Sequence, residues 1–225
     1  MRQYGLGQKT GIDLPEERPG LVPTPEYKEK TFNEAWYIGN TYQMGIGQGF
    51  VLSTPIQIAT YTAAIANDGV AYKPHLVKAF ENPDNAQDVQ TVTPEPLINL
   101  KVDRDVIKTV QDGMRQAVRT GTAQELSTLP IEICGKTGSA EFANETNAHA
   151  WFTAYAPCTD PQIVITVMIE GGGEGFFADG VADPRPGKSE ALREGPQADD
   201  ARVGGVDVRR RPVRGEVDIG LVERQ

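Results

Sequence analysis

Lys136-Thr137-Gly138-Ser139 follows an apolar run and opens a predicted hairpin, and its residue types converge on one chemistry. Breaking and remaking an acyl bond requires a nucleophile, a proton shuttle and donors aimed at the developing oxyanion. A strand ending in these four residues supplies part of that set. Lys136 brings a positive charge that attracts a substrate carboxylate and tunes nearby pKa values. Thr137 and Ser139 bring hydroxyls for the same carboxylate. Gly138 has no side chain, so an extended peptide can lie close along the strand. The backbone N–H of Ser139 is a candidate oxyanion donor. Three letters alone are weakly specific, because Lys-Thr-Gly also occurs in ordinary turns. The predicted strand before it and the hairpin after it strengthen the reading.

Other chemistry-bearing residues offer less. His149 and His75 read as hydrogen-bonded structural histidines rather than bases. Glu16, Glu17, Glu170 and Glu174 form no paired-carboxylate constellation. Gly45, Gly47 and Gly49 lack the dinucleotide spacing and follow no strand, so they read as a tight structural loop. Cys134 and Cys158 match no metal spacing and are not directly opposite in a hairpin over 130–156. They read as two free thiols, which leaves the redox compartment undecided. Trp151 and Phe152 alternate on a strand, so one of them faces the core.

These residues need elements to position them. Thr54 caps, Pro55 fits the first helical position and Gln57 completes a capping box, predicting a helix to about Ala66. Ile56, Ile58, Ala59, Ala63, Ala64 and Ile65 cover much of its circumference, as in a buried helix. Val106, Ile107, Val110, Met114, Ala117 and Val118 place a second helix at about 103–120. Strands are predicted at 130–141, 149–156 and 162–170, with connections suited to antiparallel neighbours. Residues 5–26 and 36–50 read as loops, and 70–102 as short strand-like pieces and turns. The pattern predicts an α+β fold, an antiparallel sheet flanked by helices.

The 225 residues suffice for one domain with a real core, and 39% apolar with 24% charged residues is ordinary for a globular chain. A net charge of −9 argues against a nucleic-acid partner. The longest clean apolar stretch, Ile163–Ile169, is far below the ~20 residues that span a bilayer. Composition breaks near residue 175. Residues 1–174 carry 5 Arg, 8 Lys, 18 Thr and 8 Asn, whereas 175–225 carry 8 Arg, 1 Lys and neither Thr nor Asn. Residues 175–225 read as a disordered or out-of-frame tail.

As a set, the residues resemble the transpeptidase domain of penicillin-binding proteins over about 3–174. The segments that carry the resemblance are Gly5 to Glu16, Ile46-Gly47-Gln48-Gly49, Thr54-Pro55-Ile56-Gln57, Ala66-Asn67-Asp68-Gly69 and Pro74-His75-Leu76-Val77. Gly121-Thr122-Ala123, Gly135 to Ala140 and His149 to Pro157 follow in the same order. The His-Ala-Trp-Phe version is most similar to monofunctional, elongation-type class B members. The resemblance implies a partial penicillin-binding protein/β-lactamase-like fold. It implies peptidoglycan crosslinking by a D,D-transpeptidase through an acyl-serine intermediate, with β-lactams as mimics of the D-Ala-D-Ala donor. It assigns donor-carboxylate binding to Lys136, Thr137, Gly138 and Ser139, and an oxyanion donor to Ser139. It implies no cofactor and no metal, partnership with cell-wall elongation membrane proteins, and a site on the extracytoplasmic face of the bacterial cytoplasmic membrane.

The departures are equally specific. Ser53, Ser127, Ser139 and Ser189 are the serines, and none begins the family's Ser-x-x-Lys or Ser-x-Asn. The expectation is therefore a C-terminal part of such a domain, inert alone and prone to poor solubility. The alternative is a non-enzymatic β-lactam sensor or binding module on the same fold.

Overall fold

The structure, a computed structural model, describes residues 1–82, 85–141 and 148–173 and the backbone of two short strands near the C-terminus. Three helices come first: α1 (Pro25–Phe32), α2 (Ile38–Gly45) and α3 (Pro55–Ala66). Two small antiparallel pairs follow, β1 (Val70–Tyr72) with β4 (Pro96–Asn99) and β2 (Ala79–Asn82) with β3 (Asn85–Thr91). Helix α4 (Arg104–Arg119) then leads into the main sheet. That sheet runs β5 (Cys134–Ala140), β6 (His149–Ala156), β7 (Ile163–Ile169), β8 (Arg202–Val203) and β9 (Val206–Asp207), in that spatial order and antiparallel throughout. The α+β expectation and its three strands hold, each within a few residues. Beyond β8 and β9, the reading of 175–225 lies outside the described residues, as does the connection 142–147.

Register decides which residues share a face. Cys134, Tyr155 and Val164 align across the sheet, as do Lys136, Thr153 and Thr166. Their side chains point to one face, and Thr137, Phe152 and Val167 to the other. Helix α3 covers the first face, where Ala59 and Ala66 cluster with Cys134, Tyr155, Val164 and Met114. The second face is covered by Val118, Ala123 and Leu126 against Phe152, Ala154, Val167 and Ile169.

Helix α3 is enclosed as expected, but not by its isoleucines. Its buried positions are Gln57, Ala59, Thr60, Thr62, Ala64 and Ala66, while Ile56, Ile58 and Ile65 are half-buried. The buried polar groups are paired. Thr62 Oγ1 lies 2.9 Å from Thr153 Oγ1, which lies 2.8 Å from Thr166 Oγ1. Gln57 forms the capping box with Thr54 and donates through Nε2 to the Gln8 and Pro19 carbonyls, each at 2.7 Å. One side chain thus starts α3 and pins two points of the loop before α1. On α4 the apolar stripe splits: Ile107, Met114 and Val118 are buried, whereas Val106 and Val110 are exposed.

The structure corrects the loop reading of 36–50 and the reading of two free thiols. Residues 38–45 are helical, and so are 25–32, which begin inside the predicted 5–26 loop. Thr24 caps α1 by accepting the Tyr27 N–H, and Pro25 starts it. A buried lysine then joins α1 to α2. Lys28 is 3% exposed, and its ammonium donates to the Ala35 carbonyl, Asn40 Oδ1 and Glu34 at 3.0–3.1 Å. Such tertiary partners give these helices support that eight residues lack by themselves. The cysteines are not free: Cys134 and Cys158 form a disulfide, with Cα atoms 5.4 Å apart. They are not opposite in the hairpin, since Cys134 faces Tyr155. The turn after β6 folds back instead, its Cys158 N–H donating to the Glu132 carbonyl at 3.0 Å.

The loop before α1 rests on two carboxylates. Asp13 accepts the Leu76 and Val77 N–H groups at 2.8 and 3.0 Å, and those bonds hold it below its ordinary value of 3.8. Burial pushes Glu17 up, but bonds from Thr10 and Gly11 outweigh it and leave it below 4.5. Depressed folded values mean that this support is complete above the ordinary values and fades as pH falls through the folded ones. The Asp13→Asn, Glu17→Gln double variant should therefore lose part of the slope of melting temperature against pH below pH ~4.5, while both proteins vary little above it. Reduction of the disulfide, which closes a sequence separation of 24, should lower unfolding free energy by about 3 kcal/mol in urea titrations with and without reductant.

Candidate functional site

β5 ends the spatial strand order, so its outer edge has no neighbouring strand among the described residues. It is held from the inner side. Gly135 is buried under Phe152, and a Cβ there would stand 2.7 Å from the Phe152 ring. Only glycine lets the ring cross the strand so closely. Gly138 is exposed, and a Cβ there would meet nothing nearer than Trp151 Cβ at 3.7 Å. Internal packing thus explains Gly135 and leaves Gly138 unexplained.

The four predicted residues stay together on β5 but divide between its faces. Lys136 and Gly138 are exposed on the α3 face. Lys136 Nζ donates to the Thr137 carbonyl at 2.6 Å and makes no ion pair among the described residues. Thr137 turns to the other face and is 8% exposed, its hydroxyl 2.6 Å from that of Thr122. The exposed Ser139 accepts at its carbonyl from Gln48 Nε2 at 3.1 Å.

Sequence reasoning missed Gln48 and Thr122 as neighbours of this edge. Gln48 lies between Gly47 and Gly49, whose φ angles of 77° and 75° turn the chain back toward β5. Thr122 precedes Ala123, which is 0% exposed and fixes that segment under the sheet. The positive φ and the buried alanine emerge only on folding. His149 is the structural residue expected, its Nδ1 accepting the Gly171 N–H at 3.1 Å. Phe152 faces the core and Trp151 is half-buried. Among the described residues no group of three His, Cys, Asp or Glu side chains could hold a metal. A cleft of about 600 Å³ opens at the opposite end of β5, lined by Cys134 and Tyr155 but by none of the four motif residues.

The two glycines can be told apart by substitution. Gly135→Ala should cost about 1–3 kcal/mol through overpacking against Phe152. Gly138→Ala should change unfolding free energy by no more than about 0.5 kcal/mol. Paired urea denaturation curves check both.

Comparison with known proteins gives this edge a context. The penicillin binding protein transpeptidase domain matches residues 1–186. The chain is 35% identical over 201 residues to the peptidoglycan D,D-transpeptidase MrdA of Acinetobacter baumannii, covering 82% of this chain and 29% of that protein. It is 36% identical over 197 residues to the peptidoglycan D,D-transpeptidase PbpA of Mycolicibacterium smegmatis, covering 84% and 39%. Among solved structures, Pseudomonas aeruginosa PBP2 in complex with WCK 5153 aligns with a TM-score of 0.66 at 35% identity, covering 86% of this chain and 41% of that one. Helicobacter pylori PBP2 in its complex with MreC aligns with a TM-score of 0.65 at 32% identity, covering 86% and 34%. The chain therefore spans 29% and 39% of the lengths of these two curated relatives. The matched family domain, the relatives and the aligned solved structures agree: the chain belongs to the penicillin-binding-protein transpeptidase family.

Proposed function

We propose that this chain supplies the substrate-aligning wall of a peptidoglycan D,D-transpeptidase that works through an acyl-serine intermediate and is a target of β-lactams. The observation that carries the reading is the open outer edge of β5, with exposed Lys136, Gly138 and Ser139. An extended stem peptide ending in D-Ala-D-Ala aligns along that edge. The Lys136 ammonium attracts its carboxylate, and Ser139 offers a hydroxyl beside it. Thr137 supports from below through Thr122; in that pair one hydroxyl donates to the other, which keeps its own proton for a further acceptor. The Ser139 N–H is the oxyanion donor. Gly138 leaves the room that a peptide main chain needs.

The attacking serine is not among these 225 residues, since no Ser-x-x-Lys or Ser-x-Asn occurs in them. Loss of such a nucleophile costs roughly 10⁶ in turnover by analogy with a serine protease. Apolar surface beside the edge supports completion of the cleft by further polypeptide. Tyr37, Ile38, Tyr42 and Ile46 are 61–77% exposed around α2, which leads into the loop holding Gln48. Exposed apolar patches of this kind mark contact surfaces.

The disulfide fits an oxidising compartment, here the extracytoplasmic face of the bacterial cytoplasmic membrane. No helix among the described residues is long and apolar enough to cross a membrane. By likeness to the Helicobacter pylori complex with MreC, the partners are membrane proteins of cell-wall elongation. Residues 1–174 form the transpeptidase part and 175–225 a compositionally separate tail, although the family match runs to 186.

Fluorescent penicillin tests the reading. The 225-residue chain should give no label that survives denaturing electrophoresis. A longer polypeptide carrying the Ser-x-x-Lys and Ser-x-Asn segments should label, and Lys136→Ala in it should slow acylation by about 10²–10³. A denaturation-stable adduct on the 225-residue chain, or unchanged acylation of the Lys136→Ala protein, would overturn it.

A further inference from the structure

The main-chain groups of β5 divide between its two sides. In an antiparallel pair a residue turns its N–H and C=O together, toward the partner strand at one position and away from it at the next. The two ends of β6 show which positions are which. Ala156 and Ala148 turn their carbonyls to the β7 side, where they accept the Gln162 and Gly173 N–H groups at 2.9 and 2.8 Å. Even-numbered residues of β6 therefore serve β7. Ser139 stands opposite Ala150 and Thr137 opposite Phe152, so both turn their N–H and C=O away from β6, to the outer edge. The side chains that reach the two carbonyls agree. Lys136 Nζ meets that of Thr137 at 2.6 Å, and Gln48 Nε2 meets that of Ser139 at 3.1 Å.

Gln48 makes its contact from a fixed base. Its N–H donates to the Gln43 carbonyl at 2.9 Å, on the last turn of α2, and the Gly47 N–H donates to the Met44 carbonyl at 3.1 Å. Further along, Leu52 exchanges both backbone bonds with Leu21, at 2.7 and 3.0 Å. The half-buried Gln48 side chain reaches β5 one residue before Ala140, whose pairing with His149 is the last in the β5–β6 ladder. The end of a ladder is where strand pairing restrains the backbone least.

The carbonyl and the N–H of Ser139 belong to successive peptide planes joined at one Cα, and both face the same edge. A tether on the carbonyl therefore restrains the aim of the N–H. We infer that Gln48 is a positioning residue for acyl transfer, holding Ser139 so that its N–H points at the developing oxyanion. The inference rests on the transpeptidase reading of β5. An oxyanion donor acts on the transition state more than on the bound ground state. Loss of its positioner should slow the acylation step and leave initial binding alone.

Time courses of fluorescent-penicillin acylation over a range of concentrations separate the two, in the longer polypeptide that carries Ser-x-x-Lys and Ser-x-Asn. Gln48→Ala should lower the acylation rate constant by about 3–10-fold, the worth of one hydrogen bond. The dissociation constant of the first complex should change by less than about twofold, since ground-state binding is not touched. Gln48→Glu has the same shape but no donor, so it should lose at least as much. Both variants should keep the melting temperature, because the bond is exposed. An unchanged rate constant in either variant, a loss confined to the dissociation constant, or a rate loss that comes only with a lowered melting temperature would each overturn the inference. No labelling of the unsubstituted longer polypeptide would instead overturn the transpeptidase reading, and this inference with it.

Discussion

A strand with no neighbouring strand on its outer edge must be held mainly from its inner side. β5 meets that constraint by several independent means. Its backbone pairs with β6 over all seven residues. The Phe152 ring closes over Gly135, an approach that any side chain there would block. On the α3 face, the hydroxyl chain from Thr62 through Thr153 to Thr166 fixes β6 beneath Lys136. On the other face, the Thr122 hydroxyl meets that of Thr137. Each of these threonine hydroxyls is paired, so desolvation is offset and the geometry is specified rather than merely buried.

The same economy appears in the loops that reach the edge. Gln57 has no exposed surface to speak of, and its amide serves three backbone groups from Thr54, Gln8 and Pro19. Gly20, at φ +63°, lies against its Oε1 and the Leu52 carbonyl, where a Cβ would clash. Lys28 does for α1 and α2 what Gln57 does for the loop at α3: three acceptors surround one buried ammonium. A buried charge is tolerated when its hydrogen-bonding capacity is filled. The consequence reaches β5, because α2 leads directly into the glycine turn that aims Gln48 at Ser139.

What the sequence made legible follows from range. The capping box at Thr54 and Gln57, the β-branched run of β7 and the aromatic alternation of β6 are local patterns, and each element formed where its pattern lies. Lys-Thr-Gly was legible because its context was a strand, and that strand is an edge. Helix α2 was not, because the Lys28 bond to Asn40 that supports it spans twelve residues and carries no helical signal, whereas Thr24-Pro25 repeats the cap-and-proline start of Thr54-Pro55 and went unread. The disulfide was hidden for a related reason. Strand register excludes Cys134 from facing Cys158, and only the turn after β6 brings them together.

The two ends of β5 are restrained unequally, and the inequality has a physical reading. At Cys134 the strand is cross-linked to Cys158, and the preceding Glu132 is gripped by Arg115 and Arg119 and by the Cys158 N–H. At Ser139 the exposed bond from Gln48, carried by a loop with three glycines, is one of the contacts that hold the strand, and it is non-covalent. A covalent link keeps its geometry through any rearrangement, whereas one exposed hydrogen bond is worth only about 0.5–1.5 kcal/mol and exchanges readily with water. The Cys134 end is therefore held by a covalent cross-link, whereas the described contacts at the Ser139 end are non-covalent. The fold fixes the strand most firmly where the sheet and helices meet, and Lys136, Gly138 and Ser139 face solvent at its other end.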